Sequence, residues 1–490
     1  MAVTSRTIAL LLSCHAALAC GTEGLDPSLD ATSPPDALAA TRDAQAATDA
    51  GSTFDAQANG DAAAATVPRF TIETEDPRTI VRAERAPRSF ERVVVTLHDR
   101  PADLVTLVAR SGGFRSESRF AGGTGDLDLS LEAPLEGSYA GVDPDGPFWS
   151  MEAKTSTSQL GYRTYVVALV GTQTVATAQF DRIWTDPAVR SEPFTPGGLV
   201  GHLFLPPGPG PHPVVILLGG SEGGIEWSMG AGPIFASLGY ASLGLAYFGL
   251  PGLPPSLSQV PLEYFETAID ELMNRPEIDG QRIGVFGGSR GGELALLIGA
   301  TFPQIRGVVA SVPSGVIWGD GGAGFGGRKR SSWTRDRQNL PWIPYSGAMP
   351  TSTVGPDGLP VVAYTPQFLE DLAAASTTAV DAATIRVEDT AGPILLIGGE
   401  DDQLWPSCVL QEISAARLRA AGHDHEQVCY PRTGHWIGFP GLPTRGSDRY
   451  FDAYFQRWNL IGGTPDGMAH AQRDQLGRLV RFLDRSLAPR

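Results

Sequence analysis

Apolar and polar residues alternate in short runs over the first patterned part of the chain, from residue 69 to about 190. Two of these runs are Arg92–His98 (RVVVTLH) and Arg163–Val170 (RTYVVALV), and Gly, Pro and Asp turns separate them. Alternation with period two places one face of a strand in a core and the other in solvent. Many short strands between turns are typical of a β-sandwich, which we predict for residues 69–195.

After residue 195 the pattern changes to buried apolar runs that alternate with amphipathic helical segments. The predicted strands are Val214–Leu218, Ala241–Tyr247, Arg282–Phe286, Gly307–Ser311, Pro393–Ile397 and Gln427–Tyr430. The predicted helices are Leu262–Asn274, Gly291–Ala300, Leu410–Ala421 and His470–Leu487. This alternation predicts an α/β domain over residues 196–490, with a largely parallel sheet and crossover helices.

A long Gly-rich segment, about residues 312–392, interrupts this pattern between two predicted strands. It looks irregular, and a long irregular loop in a compact domain is usually a lid or a binding loop. Its location agrees with that interpretation, because ligands bind at the carboxyl ends of parallel strands.

The first 20 residues predict an export signal. One Arg precedes a short apolar run that ends in Ala17–Gly21 (ALACG), a pattern similar to the lipobox of bacterial lipoproteins, which makes Cys20 the candidate lipid anchor. Cys14 also fits the pattern, but cleavage there would leave a very short apolar segment, so we favour Cys20. Cleavage near Ala19 without lipid is the other alternative. Residues 21–68 are rich in Ala and Asp with one aromatic side chain, and this composition predicts a disordered tether.

Charge and cysteine content limit the partners. The formal net charge of −17 argues against nucleic acid, because binding to a polyphosphate needs a basic surface. Membrane association is expected only through the N-terminal anchor, and the oligomeric state stays open. Cys408 and Cys429 could pair in an oxidising compartment, but we favour two buried thiols, since Cys429 lies in an apolar run.

A serine stands at the tip of a sharp turn in Gly287–Gly291 (GGSRG), which follows a predicted strand and opens a predicted helix. The G-x-S-x-G motif in this context is typical of a nucleophile elbow, in which small neighbours permit a strained turn that exposes the hydroxyl. Ser289 is therefore the candidate nucleophile. A serine hydroxyl also needs a base and an acid that orients the base.

The acid and the base are expected to follow the serine in that order. The predicted strand at residues 393–397 leads into Gly399–Asp402 (GEDD), and we favour Asp402 over Asp401 as the acid. His435 follows the last predicted strand and is the candidate base. The other histidines lie before the serine, in a helix-to-strand turn or at the start of the last helix: His15, His98, His202, His212, His423, His425 and His470.

An oxyanion hole needs two backbone N–H donors. We predict that Arg290, directly after the nucleophile, supplies one. The other is expected from Ser221, in the Gly-rich loop after the first strong strand.

These motifs resemble the acyl-CoA thioesterase and bile acid-CoA:amino acid N-acyltransferase family over about residues 70–488. The resemblance is carried by Gly137–Met151 (GSYAGVDPDGPFWSM), Phe286–Leu296 (FGGSRGGELAL), Gly399–Asp402 (GEDD) and Cys429–Trp436 (CYPRTGHW). It implies an Ig-like β-sandwich followed by an α/β-hydrolase domain that cleaves acyl thioesters, with the nucleophile, acid and base on Ser289, Asp402 and His435. The amidating members carry Cys at the elbow, so serine favours hydrolysis.

The basic cluster of the insertion is the candidate contact for a CoA-like leaving group, with Arg328, Lys329 and Arg330 facing its phosphates and Trp333 offering an aromatic face. A solvated loop is the alternative. We expect no cofactor and no metal. The functional alternatives are an exported esterase or amidase, an N-acyltransferase, and a surface lipoprotein that binds a ligand without catalysis.

Overall fold

The computed structural model describes residues 68–75, 92–153, 155, 160–161, 163–181, 185–320, 330–346, 350–453 and 455–489. The export signal, Cys20, the tether up to residue 67, Arg328 and Lys329 lie outside the described residues.

Two antiparallel sheets form the N-terminal part. Their strands are β1 (Arg69–Glu75), β2 (Arg92–His98), β3 (Val105–Ser111), β4 (Phe114–Phe120), β5 (Leu127–Asp128), β6 (Glu136–Gly137), β7 (Glu152–Ala153), β8 (Arg163–Val170) and β9 (Gln173–Asp181). One sheet has the order β1-β2-β5, and the other has the order β6-β4-β3-β8-β9, with β7 paired to β4.

Side chains from both sheets share one core. In β4 buried residues alternate with more exposed ones, as a half-buried strand requires. Phe120 of β4 packs in the same apolar cluster as Leu97 of β2. The layered arrangement agrees with the predicted sandwich, while its Ig-like topology and the domain boundaries stay predictions.

The remaining strands and the helices belong mostly to the α/β part. The strands are β10 (Arg190–Phe194), β11 (Val200–Leu205), β12 (His212–Leu218), β13 (Ala241–Ala246), β14 (Val260–Pro261), β15 (Ile278–Gly288), β16 (Ile305–Ser311), β17 (Trp333–Arg335), β18 (Gln338–Asn339), β19 (Thr351–Val354), β20 (Pro360–Ala363), β21 (Ile394–Gly399), β22 (His425–Tyr430), β23 (Arg449–Asp452) and β24 (Arg457–Leu460). The helices are α1 (Gly146–Trp149), α2 (Glu226–Ser237), α3 (Glu263–Met273), α4 (Arg290–Thr301), α5 (Thr365–Ala374), α6 (Thr377–Ala383), α7 (Ser407–Ala421) and α8 (Pro465–Ser486).

The main sheet has eight strands in the order β10-β11-β13-β12-β15-β16-β21-β22. It is antiparallel from β10 to β13 and parallel from β13 to β22. All six predicted strands and all four predicted helices are present, so the predicted α/β sheet is confirmed. The largest differences are early starts, of β15 at Ile278 and of α8 at Pro465.

Helix α2 was not predicted, because its sequence contains two internal glycines and Pro233, which disfavour a helix. Close packing of this helix against the sheet explains why the glycines are there. A Cβ atom at Gly232 would lie 2.4 Å from the ring of Phe204 in β11, so glycine lets this helix approach the sheet closely.

The insertion is more ordered than its composition indicates. Its described parts contain α5, α6 and short strands, of which β17 pairs with β14 and β20 with β24. Trp318 of this segment stacks on Tyr345 and contacts Phe368 edge-on in a separate apolar cluster. The expectation of an irregular loop was therefore wrong for these parts.

A disulfide joins Cys408 at the start of α7 to Cys429 in β22, with the Cα atoms 5.8 Å apart. Our preference for two buried thiols was wrong. The physical reason is a close approach of the helix to the sheet: Gly398 pairs with Cys429, and a Cβ atom at Gly398 would lie 3.0 Å from Cys408 Sγ. The disulfide therefore ties the segment that follows Asp402 to the strand that precedes His435.

Candidate active site

The turn at Ser289 has the strained geometry that we predicted for a nucleophile elbow. Ser289 lies between β15 and α4 with φ 57° and ψ −124°, a conformation that residues other than glycine rarely adopt. Its glycine neighbours are sterically required. A Cβ atom at Gly287 would lie 1.9 Å from the carbonyl oxygen of Gly291, and one at Gly291 would lie 2.2 Å from that of Gly219.

Backbone hydrogen bonds hold the turn. The N–H of Ser289 donates to the carbonyl of Ser311 in β16 at 2.9 Å. The carbonyl of Ser289 accepts from the N–H groups of Gly292 and Glu293 at 2.9 and 3.1 Å. These bonds fix the position of the serine relative to the sheet and to α4.

The candidate acid and base form a buried pair. Asp402 follows β21 and His435 follows β22, and His435 Nδ1 lies 2.8 Å from Asp402 Oδ2. The other carboxylate oxygen, Oδ1, accepts the N–H groups of Leu404 and Trp405 at 3.0 and 3.2 Å. Both side chains are at most 3 % exposed, so the carboxylate holds the imidazole in one orientation in a dry environment.

The side chain of Asp401 contacts other groups than His435. Its carboxylate accepts hydrogen bonds from Gln403 Nε2 and the N–H of Gly463, at 2.8 and 2.9 Å. Of the two adjacent aspartates, the structure therefore pairs Asp402 with His435, as we favoured.

His435 Nε2 is buried and makes no hydrogen bond with any residue that the structure describes. The structure thus joins His435 to Asp402 but does not close a hydrogen bond between Ser289 and His435. Such bonds are often long in a free enzyme and shorten when substrate binds. Ser289, Asp402 and His435 all follow the carboxyl ends of strands in the parallel part of one sheet, which places them at the same edge.

The loop of the predicted oxyanion hole adjoins the elbow. A Cβ atom at Gly220 would lie 3.1 Å from Ser289 Cβ. Ser221, next in this loop, is exposed. Arg290 is the first residue of α4, where a backbone N–H has no partner within the helix. Both residues are thus near Ser289, and their role as donors stays a prediction.

The side chain of Arg290 links the insertion to α4. Nη1 donates to Glu293 Oε2 at 2.9 Å, and Nη2 donates to the carbonyl of Trp318 at 3.2 Å and to the hydroxyl of Ser332. Glu293 Oε1 accepts from Trp333 Nε1 at 2.7 Å. Burial raises the pKa of Glu293 to about 7, with partial compensation from Arg290.

Trp333 cannot offer an aromatic face to a ligand. Its side chain is fully buried, because the indole packs against Tyr247 and donates to Glu293. That prediction was wrong. Arg330 is exposed and donates to Gln259 Oε1 at 3.0 Å, so of the predicted contacts it alone is described at the surface.

Two further residues near the site had escaped prediction. Glu222 Oε1 accepts the N–H of Gly220 at 2.8 Å, and the hydroxyl of Tyr247 donates to the carbonyl of Gly219 at 2.6 Å. Burial raises the pKa of Tyr247 well above its ordinary value. The one signal for Glu222 in the sequence was an acid within a Gly-rich loop.

A mostly parallel sheet with a strained serine after a central strand and a buried acid-histidine pair after later strands defines an α/β-hydrolase. Two family models match the chain: "BAAT / Acyl-CoA thioester hydrolase C terminal" over residues 260–489 and "Acyl-CoA thioester hydrolase/BAAT N-terminal region" over residues 91–195. Acyl-coenzyme A thioesterase 5 of Mus musculus is 31 % identical over 407 residues, covering 80 % of this chain and 91 % of that protein. Acyl-coenzyme A thioesterase 1 of Homo sapiens is 30 % identical over 390 residues, covering 76 % and 87 %. The chain belongs to the acyl-CoA thioester hydrolase/BAAT family and is an enzyme of the hydrolase class.

Solved structures give weaker likenesses. A putative dienelactone hydrolase from Klebsiella pneumoniae is 16 % identical with a TM-score of 0.38, covering 60 % of this chain and 98 % of that one. A puromycin-hydrolyzing peptidase of Mycobacterium tuberculosis is 14 % identical with a TM-score of 0.39, covering 86 % and 68 %. The family assignment rests on the sequence comparisons.

Proposed function

We propose that this chain is a serine hydrolase that cleaves acyl thioesters, with Ser289 as nucleophile, His435 as base and Asp402 as orienting acid. The observation that carries the proposal is the buried His435–Asp402 pair, which leaves Nε2 without a partner among the described residues, at the sheet edge that also presents the strained serine. The thioester substrate is supported by the names of the relatives, which are acyl-coenzyme A thioesterases.

In the first half-reaction, Ser289 Oγ attacks the acyl carbon while His435 Nε2 takes its proton. The new carbon–oxygen bond forms, and the carbonyl electron pair moves to the oxygen. The N–H groups of Arg290 and Ser221 stabilise this oxyanion in the proposal. When the oxyanion collapses, the carbon–sulfur bond breaks, and the leaving thiolate takes the proton from His435.

In the second half-reaction, water replaces the thiol. His435 takes a proton from the water as its oxygen attacks the acyl-enzyme, and Ser289 leaves with that proton. The products are a carboxylic acid and free enzyme. An amine in place of water would give an N-acyl product, which is the acyltransferase alternative.

Release of free thiol from acyl-CoA esters, with p-nitrophenyl esters alongside, tests the proposal. We expect the purified protein to have the higher kcat/KM for the CoA esters and Ser289→Ala to lose at least about 10³-fold for both. Ser221→Ala is the matched control, since it removes an exposed hydroxyl from the same cleft but keeps the backbone N–H. If the protein turned over the simple esters but not the CoA esters, it would be an esterase and not a thioesterase.

Labelling by a fluorophosphonate distinguishes an enzyme from the non-catalytic binding lipoprotein. This probe reacts with an activated serine, so labelling of the wild type that disappears in Ser289→Ala supports catalysis. A wild-type protein that takes up no label at Ser289 would favour the binding protein.

We also propose that the protein is exported and held at a membrane through Cys20, on the basis of its N-terminal sequence. Among the described residues, no helix is long and apolar enough to cross a membrane. Cys20→Ser should move the protein from the membrane fraction to the soluble fraction, whereas Cys14→Ser should not. The reverse result would place the anchor at Cys14.

A further inference from the structure

An acidic side chain that the proposed reaction does not use folds back over the loop beside the nucleophile. Glu222 Oε1 accepts the N–H of Gly220 at 2.8 Å, and a Cβ atom at Gly219 would lie 2.7 Å from the same oxygen. The hydroxyl of Tyr247 donates to the carbonyl of Gly219 at 2.6 Å, which holds the loop from its other side. The carboxylate therefore has a defined position in the cleft.

This position is close to the reacting atoms. A Cβ atom at Gly220 would lie 2.9 Å from Glu222 Oε2 and 3.1 Å from Ser289 Cβ. Because Glu222 Oε2 and Ser289 Cβ both lie this close to the same point, they cannot be farther from each other than the two distances together. Acyl transfer creates a negative oxygen on the carbon that becomes bonded to Ser289 Oγ. A charged Glu222 would thus stand in the neighbourhood of a second negative charge, close enough for repulsion between the two.

The groups that face Glu222 do not include a cationic side chain paired with its carboxylate among the described residues. Burial raises the pKa of its carboxyl, although the residue as a whole keeps an exposed surface. Backbone hydrogen bonds and the charged form of His435 oppose this rise, and Glu226 adds to it. The guanidinium of Arg290 is turned away toward Glu293.

On the basis of the proposed acyl transfer at Ser289, we propose that Glu222 is a charge gate of the reacting centre. The carboxylate opposes the oxyanion by repulsion, and the neutral acid permits it. The gate is distinct from the hydrogen bond to Gly220, because a neutral acid or an amide still offers an oxygen to that N–H. The enzyme should therefore lose activity when Glu222 ionises.

Glu222→Gln separates the charge from the hydrogen bond, and the rate of Ser289 labelling by a fluorophosphonate between pH 5.5 and 9 provides the measurement. In this step the serine oxygen bonds to phosphorus, fluoride leaves, the serine proton passes to His435, and negative charge grows on the phosphoryl oxygen. The ratio of the Glu222→Gln rate to the wild-type rate should approach one at low pH. It should rise with pH by about tenfold as Glu222 ionises in the wild type.

Glu226→Gln is the matched control. It removes one negative charge from the adjoining segment, where its carboxylate accepts the N–H of Ile225 at 2.9 Å. Because Glu226 helps to raise the pKa of Glu222, its loss moves the ionisation of Glu222 to lower pH, so this ratio should not rise above one. Glu222→Ala also loses the acceptor for Gly220 and should be slower than Glu222→Gln at every pH. Equal melting temperatures of Glu222→Gln and wild type would confirm that the fold is intact.

A Glu222→Gln ratio that is independent of pH, or that falls as the pH rises, would overturn the gate. Labelling at Ser289 without release of thiol from acyl-CoA esters would contradict the proposed thioesterase activity but not the proposed role of Glu222. Absence of labelling at Ser289 in the wild type would overturn both.

Discussion

At the scale of single residues, two neighbouring aspartates have different partners. Asp402 holds His435 Nδ1, whereas Asp401 holds Gln403 and the backbone of Gly463. We predict that Asp402→Asn lowers kcat by about 10³- to 10⁴-fold, because an amide cannot stabilise the imidazolium and favours the wrong tautomer. Asp401→Asn, the matched control, should change kcat less than about threefold. Steady-state kinetics on any turned-over ester would decide, and equal losses in the two variants would show that neither aspartate orients the base.

The residues that could be predicted were those with a sequence motif or a fixed order. Ser289 was marked by its glycines, and Asp402 and His435 by their places after strands. Glu222 and Trp333 had no such mark. Whether a loop carboxylate folds back or an indole turns inward depends on which atoms adjoin it in the folded chain, here the backbone of Gly220 for Glu222 and the distant Glu293 for Trp333.

At the scale of elements, the strands and helices with strong periodicity were predictable, and the exceptions have a common cause. Helix α2 contains glycines that weaken a helix in isolation but allow contact with β11. The order within the insertion likewise arises from contacts with distant segments, such as β20 with β24. Tertiary packing overrode local propensity in both cases, and a single sequence does not reveal it.

The disulfide between α7 and β22 gives a prediction about stability. The two cysteines are 21 residues apart. In the chain-entropy model, closing a loop of that length lowers the entropy of the unfolded chain and raises the free energy of unfolding by about 3 kcal/mol. The Cys408→Ser, Cys429→Ser double variant should therefore unfold at lower denaturant concentration than wild type. Dithiothreitol should lower the wild-type midpoint similarly and leave the double variant unchanged. A wild-type midpoint that is insensitive to the reductant would contradict the prediction.

At the scale of the whole molecule, the N-terminal part contacts both α8 and the loop that follows His435. The N–H of Thr444 in that loop donates to the carbonyl of Trp149 at 2.9 Å, and Arg445 Nη1 donates to that of Ser138 at the same distance. Arg473 of α8 pairs with Asp145 at 2.5 Å. These contacts brace the histidine loop from outside the hydrolase sheet, so the Gly137–Met151 motif contributes to the site indirectly.

The contact between Asp143 and His470 should make stability depend on pH. Asp143 Oδ2 accepts from Trp149 Nε1 at 2.9 Å and lies 3.3 Å from His470 Nε2. The hydrogen bond with Asp143 raises the pKa of His470, while burial opposes the rise. Burial would raise the pKa of Asp143, but its hydrogen bonds to His470 and Trp149 outweigh it, so the pKa is lowered and Asp143 is charged near neutral pH.

A histidine whose pKa is raised by folding stabilises the folded state fully below its unfolded pKa of about 6.5, and loses that contribution as the pH rises through the folded pKa. His470→Gln should therefore lower the melting temperature more at pH 6 than at pH 8.5. In an Asp143→Asn background the same substitution should no longer have a larger effect at pH 6 than at pH 8.5, because the main cause of the raised pKa of His470 is gone. Calorimetric melting of the four proteins completes this cycle. An equal effect of His470→Gln at both pH values in the wild-type background would show that the bridge between the N-terminal part and α8 does not depend on the charge of His470.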